Sequence, residues 1–426
     1  MSNTVPSGWS VHELGDLAHR IEGGGTPSRT EASFWNGDIP WATVKDLRAV
    51  SLRSTEEHIT ELGLKNSSSK LIPANTIIIA TRMAVGKAVF FDRDVAINQD
   101  LKAFCPKSGT NWRFLLQWYL AQSEKVENLA TGSTVKGIRL DELKLLPIDL
   151  PPLSEQQKIA AILSSVDDVI EKTRAQIDKL KDLKTGMMQE LLTKGIGSGG
   201  VPHTEFKDSP VGRIPAAWHD STLKELCTVI TKGTTPTTYG NNYTETGINF
   251  IKVECISRDG VLDSSKFSFI DEQTHQKLSR SRLEEGDILI TIAGATVGKL
   301  AIVRREHLPA NTNQALAVAR TDESKVLRDF VYYWLQSAFI KNSISNIQTV
   351  GAQPNLSLSQ IGNFLIALPE LKEQQKIVCS LSGVDDLTAL KRKKLVAAEL
   401  TKKALMQDLL TGKVRVKVDQ KESAVA

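Results

Sequence analysis

Residues 151–192 read PPLSEQQKIAAILSSVDDVIEKTRAQIDKLKDLKTGMMQELL, and residues 369–410 read PELKEQQKIVCSLSGVDDLTALKRKKLVAAELTKKALMQDLL. The second stretch repeats the first at a constant offset of 218 residues, with EQQKI, VDD and an MQ-acid-LL ending in register and without a gap. A repeat of this length sets the architecture before any single residue does. In the first copy Ile159, Leu163, Val166, Ile170, Thr173, Ile177, Leu180, Lys184, Met187 and Leu191 follow one another in steps of four and three. In the second copy Ile377, Leu381, Val384, Thr388, Lys391, Leu395, Ala398, Lys402, Leu405 and Leu409 do the same. This is the period of a coiled-coil seam. Each copy therefore predicts one helix, about 50 Å long at a rise of 1.5 Å per residue. Ser154 with Gln157 predicts a capping box behind Pro151 and Pro152. Lys372 replaces that serine in the second copy, so its cap must differ. The preferred arrangement is that the two helices pack antiparallel on each other; the alternative is that each packs only on its own domain.

Outward from the helices, the preceding segments are also repeated. Trp9, Leu14 and Leu17 correspond to Trp218, Leu223 and Leu226 at an offset of 209 residues. Both copies then reach a Gly/Thr/Pro turn, Gly23-Gly24-Gly25-Thr26-Pro27 and Lys232-Gly233-Thr234-Thr235-Pro236. The change of offset from 209 to 218 places extra residues in the loops of the second copy, where insertions are tolerated. Ile39–Val44 and Ile248–Val253 read as strands. Leu71–Ala80 and Leu283–Ile292 each lead through a Gly-Lys turn into another strand, followed by Ile97-Asn98-Gln99 and Thr312-Asn313-Gln314. Aromatic-rich helical segments come next, and Trp112, Phe114, Trp118, Tyr119, Tyr332, Tyr333 and Trp334 are assigned to the core rather than to base stacking. Gly195–Pro202 reads as a flexible linker continuing to Pro215. Val414, Val416 and Val418 alternate, which suggests a short strand before a loose end. The fold class is α+β: two tandem domains of mixed α/β structure alternating with two long helices that pack as an antiparallel coiled coil, with an internal pseudo-twofold.

Composition narrows the function by exclusion. Cys105, Cys227, Cys255 and Cys379 are far apart and lack Cys-x-x-Cys spacing, so neither a disulfide scaffold nor a zinc site is expected, and a reducing compartment fits. No apolar run is long enough for a membrane span, and MSNTVPSGW does not read as a secretory signal. The net charge is +4. Its basic surplus sits in residues 371–426, with 12 basic against 7 acidic side chains. Any nucleic-acid site must therefore arise from how charges are distributed on a folded face. Gly86-Lys87 and Gly298-Lys299 lack the spacing of a phosphate loop. The seven histidines form no metal-ligand pair at helical spacing, and no serine sits in a nucleophile elbow. Asp167-Asp168 and Asp385-Asp386 are neighbours on a helix and do not share a face, so they read as surface charges or partner contacts. No catalytic centre or metal site is recognisable.

What remains is geometry. Two similar domains on two matched rods can grip two features of an extended ligand, and duplex DNA fits that description. Arg and Lys can read guanine, and Asn and Gln can read adenine. The candidate DNA contacts are Thr26, Arg29, Lys45, Arg82, Lys87, Asn98, Lys136 and Arg139 in the first copy. In the second they are Lys232, Thr235, Tyr239, Lys252, Lys299 and Asn313, with Lys391 and Arg392 on the second helix. For Asn98 and Asn313 two roles stay open, base contact and capping of a turn. The ungapped helices also predict that four residues inserted near Lys179, about 6 Å of helix, widen the gap between the two gripped features, whereas two residues rotate the seam by about 200° and abolish function.

The arrangement resembles the specificity subunit of type I restriction-modification systems, over nearly the whole chain to about residue 413. The paired PPLSEQQKI…MMQELL and PELKEQQKI…LMQDLL segments carry the resemblance, each closing a copy of the Trp-Gly/Thr-Pro domain. The resemblance implies target recognition domains at 1–153 and 199–370, conserved helical regions at 154–198 and 371–413, and a tail at 414–426. It implies a DNA-binding subunit without catalysis of its own, reading an asymmetric bipartite target in a prokaryotic cytoplasm. Two modification (methyltransferase) subunits and two restriction (translocase/endonuclease) subunits would be its partners. S-adenosylmethionine, ATP and Mg2+ would serve those partners, with no cofactor bound by this chain. The Lys391-Arg392-Lys393-Lys394 run departs from Thr173-Arg174-Ala175-Gln176 of the first helix, so the two halves differ in charge. Read without the resemblance, the residues leave open a duplicated-module scaffold, a stand-alone DNA-binding protein, or a nuclease or transferase acting alone.

Overall fold

The structure, a computed structural model, describes residues 5–197, 199–257, 259–348 and 355–418. Ser198 of the linker and residues 419–426 of the tail lie outside the described residues. The chain divides into two compact units, Met1–Ala175 with Arg392–Ala426, and Gln176–Lys391. Each unit thus contains one mixed domain, the first part of the helix that follows it and the last part of the other long helix.

In the first unit a five-stranded sheet runs in the order Ala18–Gly23, Leu101–Pro106, Ile77–Ala80, Ala88–Phe91, Ser51–Leu52. A second sheet runs Glu57–Ile59, Trp35–Ala42, Val95–Ile97, Lys70–Ile72. Strand Ile77–Ala80 is an unbroken buried run because both its faces are covered. The helix Trp112–Ala121 buries Phe114, Leu115, Trp118 and Tyr119, so its aromatics are core, as assigned from the sequence. The second unit repeats the plan. Its sheets run Cys227–Lys232, Leu316–Thr321, Ile288–Thr291, Leu300–Ile302 and Ser268–Ile270, Ile248–Ile251, Ala310–Thr312. In both units the strand after the Gly/Thr/Pro turn pairs in parallel with the strand that leads to the Asn-Gln turn. Residues 206–215, expected to be linker, instead form a hairpin of Phe206–Ser209 with Gly212–Pro215. Gly212 stands at φ 101°, a turn conformation that side chains disfavour.

The long helices run Leu153–Lys194 and Leu371–Leu409. They pack together antiparallel, as expected. In the first unit Lys402 Nζ lies 2.7 Å from an Asp167 carboxylate oxygen, and Arg174 donates to Glu399 Oε1 at 2.5 Å. In the second unit Lys184 donates to Asp385 at 2.8 Å. Asp167 and Asp385 are repeat-related, as are Lys184 and Lys402, so one ion pair is built twice. This corrects the reading of Asp167 and Asp385 as surface or partner charges. Each is half-buried and receives a further hydrogen bond, from Gln117 Nε2 (2.6 Å) or from the Tyr333 hydroxyl (2.8 Å). Asp168 and Asp386 stay exposed.

Of the seam positions, Ile159, Leu163, Ile170, Ile177, Ile377, Leu381, Val384 and Leu409 are buried. Val166, Leu180, Leu191, Leu395 and Leu405 are half-buried. Ile159, Leu163 and Leu409 belong to a core shared with Trp9, Leu14 and Phe114. Ile377 and Leu381 belong to the matching core with Trp218, Leu223 and Phe330. The ends of the seam are therefore domain core. Burying each such side chain contributes about 1.5–3 kcal/mol.

Two further expectations fail locally. The first long helix begins at Leu153, so Ser154 is already helical and does not form the expected capping box; the amides of Glu155 and Gln156 both donate to the Pro152 carbonyl. The anchor is instead Gln156, 1% exposed. Its Oε1 accepts from the Asn111 amide at 2.7 Å, and its Nε2 donates to the Pro151 carbonyl at 2.8 Å. Gln374 repeats this with the Leu327 amide (2.8 Å) and the Pro369 carbonyl (2.9 Å). Nor do residues 414–418 form a strand, because no neighbouring edge pairs with them. Arg415 instead donates to Glu155 at 3.1 Å and to the Ser7 carbonyl at 2.7 Å, and its guanidinium lies 5.8 Å from the Trp9 ring centre.

Candidate nucleic-acid interface

The Gly/Thr/Pro turn of the first unit lies directly on the end of strand Val95–Ile97. Gly25 N–H donates to the Ile97 carbonyl at 3.0 Å. A Cβ on Gly24 would stand 1.8 Å from that carbonyl oxygen, and one on Gly25 would stand 1.9 Å from Ser68 Oγ. Glycine is required there because the backbones touch. On this base the exposed Thr26 hydroxyl donates to Gln99 Oε1 at 2.6 Å. The second unit builds the same clasp from different neighbours. Thr234 N–H donates to the Thr312 carbonyl at 3.0 Å, a Cβ on Gly233 would meet that carbonyl at 2.1 Å, and the Thr235 hydroxyl donates to Gln314 Oε1.

The asparagines beside these glutamines shape the turns. Asn98 is 5% exposed; its Oδ1 accepts from the Asp100 amide and its Nδ2 donates to the Asp100 carboxylate, both at 3.1 Å. Its side chain is committed to its own turn, which is the capping role. Asn313 Oδ1 accepts from the Ala315 amide at 3.2 Å, the same turn in the second unit.

Beside the clasp the structure gathers further candidates. Arg82 bridges to Gly137, and the Met83 amide donates to the Lys136 carbonyl at 2.9 Å, so the 131–137 loop is stitched to the Gly-Lys turn. The Arg82 guanidinium lies 3.6 Å from Asp100, and Lys136 is exposed. Met83, at φ 62° and 64% exposed, projects from the same turn; nothing in the sequence marks it. Lys87 donates to the Leu47 carbonyl at 3.3 Å, and the exposed Arg139 opens the helix Leu140–Lys144. In the second unit Lys299 donates to the Ile256 carbonyl at 3.4 Å. With Lys266, Gly294 and Asn313 it lines an open depression of about 710 Å³. Lys232 and Tyr239 are exposed around the turn, Tyr239 at 62%. Lys391 and Arg392 are half-buried on the second long helix, Leu371–Leu409.

Arg29 and Lys252 stand on aromatic pairs that the sequence reading did not single out. Arg29 pairs through both ends of its guanidinium with Glu57, one arm at 2.9 Å, and lies 3.9 Å from the Trp35 ring centre. Hydrogen bonding to Glu57 raises the guanidinium pKa, and that same bond holds the Glu57 carboxyl below the usual range, with a smaller contribution from the exposed Lys45. Lys252 lies 4.3 Å from the Tyr243 ring centre and 4.0 Å from Glu254. Burial raises the Tyr243 hydroxyl pKa, and Glu254 adds to it. Among the described residues no group of His, Cys, Asp or Glu could hold a metal ion. The surface offers donors and acceptors on loops pinned to strand ends, which suits recognition of a polar, extended ligand.

Residues 6–182 and 215–400 each match the family described as type I restriction modification DNA specificity domain. Over 422 residues the chain is 28% identical to the type I restriction enzyme MjaVIII specificity subunit of Methanocaldococcus jannaschii, covering 97% of this chain and 94% of that protein. It is 25% identical over 421 residues to the MjaIX specificity subunit of the same organism, covering 97% and 95%. Among solved structures it resembles the type I restriction-modification S subunit from M. genitalium, with a TM-score of 0.62 at 16% identity over 96% of this chain and 98% of that one. A chain from a study of complex assembly and conformational transition of the type I R-M system gives a TM-score of 0.54 at 19% identity, over 96% and 100%.

Proposed function

This chain belongs to the type I restriction modification DNA specificity family, and we propose that it works by assigning each half of an asymmetric, two-part DNA target to one of its two units. It is the specificity subunit of a type I restriction-modification system, the member that selects DNA and carries no catalysis of its own. The single observation that supports the division of labour is the duplicated clasp. Thr26–Gln99 and Thr235–Gln314 are built on the same turn, while the segments they close differ in length, their partners lying 73 and 79 residues apart. A shared scaffold with divergent loops is what two half-sites of different sequence require.

In this reading the long helices recruit two methyltransferase subunits, and two restriction subunits join them. S-adenosylmethionine, ATP and Mg2+ are used by those partners, and the assembly works in the cytoplasm. No described helix is long and apolar enough to cross a membrane. The test is an exchange of residues 199–370 for the matching segment of a relative with a different target, followed by methylome sequencing in cells holding the partner subunits. One half of the target should change and the other stay. A change in both halves would show that the units do not read independently.

A further inference from the structure

An edge-to-face aromatic pair recurs in the two units, built from different rings and carrying a different cation. In the first unit Trp35 and Trp41 meet edge to face at 5.2 Å and 88°. In the second Tyr243 and Phe250 meet at 5.4 Å and 75°. Trp41 and Phe250 occupy corresponding positions in strands Trp35–Ala42 and Ile248–Ile251. The first pair also fixes the recognition turn. Trp35 Nε1 donates to the Ser28 carbonyl at 2.9 Å and Trp41 Nε1 to the Gly25 carbonyl at 3.1 Å, so the loop from Gly25 to Ser28 is held at both ends.

Arg29 leaves that loop and lies with its guanidinium 3.9 Å from the Trp35 ring centre and 5.2 Å from that of Trp41. Contact with an aromatic face restrains the planar group and leaves its N–H edge available to an acceptor. That edge is now occupied by the Glu57 carboxylate, with the two side chains 54% and 39% exposed. The pair is bidentate and solvent-exposed, so a second partner with two acceptors can reach the fork and replace the carboxylate two bonds for two. A carboxylate offers two coplanar acceptors, and so does the guanine edge in the major groove through O6 and N7. On the other platform the cation is Lys252, which follows the aromatic strand rather than preceding it and is a point charge without a fork.

Resting on the reading of this chain as a DNA specificity subunit, we propose that Arg29 reads a guanine of the first unit's half-site, leaving Glu57 to take O6 and N7 of the base. Glu57 holds the fork in place until DNA arrives, and Lys252 makes a single-acceptor contact from the corresponding platform. The Gly25–Ser28 loop is held by the two indole N–H groups, and the Arg29 fork stands exposed beside it.

The test uses the chain in its native methyltransferase complex, with methylome sequencing and competition binding of duplexes varied at each target position. Wild type must first show a defined target; if it shows none, the DNA-specificity reading fails and not this one. R29A and R29K should each lose preference for guanine at one position of one half-site, by roughly 5- to 100-fold in discrimination, with the other half-site unchanged. R29K keeps the charge and lacks the fork, so it separates reading from attraction. E57Q should keep the guanine requirement. The proposal is overturned if R29A weakens all duplexes equally and lowers the salt dependence, which marks a phosphate contact. It is equally overturned if R29K keeps the guanine preference, or if both variants lower the melting temperature while leaving the target unchanged.

Discussion

Replacing Gln156 by leucine tests why the EQQKI word is repeated. Gln156 and Gln157 are adjacent and identical in type, yet the structure gives them opposite roles. Gln156 is 1% exposed and Gln157 is exposed. Leucine at 156 fits by size but removes the acceptor of the Asn111 amide and a donor to the Pro151 carbonyl. A second donation, to the Gly109 carbonyl at 3.3 Å, is lost as well. Stranding a buried donor or acceptor costs about 1–3 kcal/mol each. The Asn111 amide and the Pro151 carbonyl both lose their Gln156 partner, so the expected loss is about 2–4 kcal/mol. Leucine at 157 should stay within about 0.5 kcal/mol, the range for an uninvolved surface position. The assay is hydrogen exchange on peptides covering Trp112–Ala121, whose start Gln156 pins. Protection there should fall about 30- to 700-fold in Gln156→Leu, taking 1.4 kcal/mol per decade, and hardly at all in Gln157→Leu. Equal effects of the two substitutions would refute the reasoning, because a general loss of polar character or of helix propensity would act on both alike.

Lys402→Met should destabilise the first unit more than Lys184→Met destabilises the second. The Lys402–Asp167 side chains are 14% and 20% exposed, against 21% and 38% for Lys184–Asp385. About 2 kcal/mol is expected for the first, between the ranges for exposed and buried pairs. If a second change, Asp167→Asn, does not recover part of that loss in urea unfolding, the pair is not its source. His307 should make the second unit sensitive to acid. It is buried, its Nδ1 accepts from the Arg304 amide at 3.0 Å, and burial lowers its pKa from 6.5. Between that lowered value and 6.5 the unfolded chain binds a proton that the folded unit refuses, so the stabilisation is complete above 6.5 and is lost as pH falls through the folded value. Urea midpoints at about pH 7.5 and 5.5 should diverge less in His307→Gln than in wild type; an equal fall in both would remove His307 as the cause. Gly24→Ala should disrupt the recognition turn and the target preference of the first unit alone, since its Cβ would stand 1.8 Å from the Ile97 carbonyl oxygen; unchanged target selection would show that the turn yields without consequence.

The sequence by itself determined the periodic and repeated features. The ungapped duplication from Pro151 and Pro369, the four-three spacing from Ile159 to Leu191 and the glycines of the recognition turns are local patterns that depend on helix period and backbone sterics alone. They sufficed for two mixed domains, two long helices and their antiparallel packing. What they could not resolve is which identical neighbour does what. Gln156 anchors and Gln157 does not, and Asp167 pairs while Asp168 is exposed, because a helix turns each successive residue to a different face and only the packed domain says which face is covered. The expected strand at Val414–Val418 failed for a similar reason: alternation needs a neighbouring edge, and the tail instead meets Glu155 and Trp9. Tertiary structure alone joined Thr26 to Gln99 and Thr235 to Gln314 across more than 70 residues. It also seated Arg29 between Trp35 and Glu57. Contacts closed across long loops are absent from local sequence pattern, and in this protein they build the surface proposed to meet DNA.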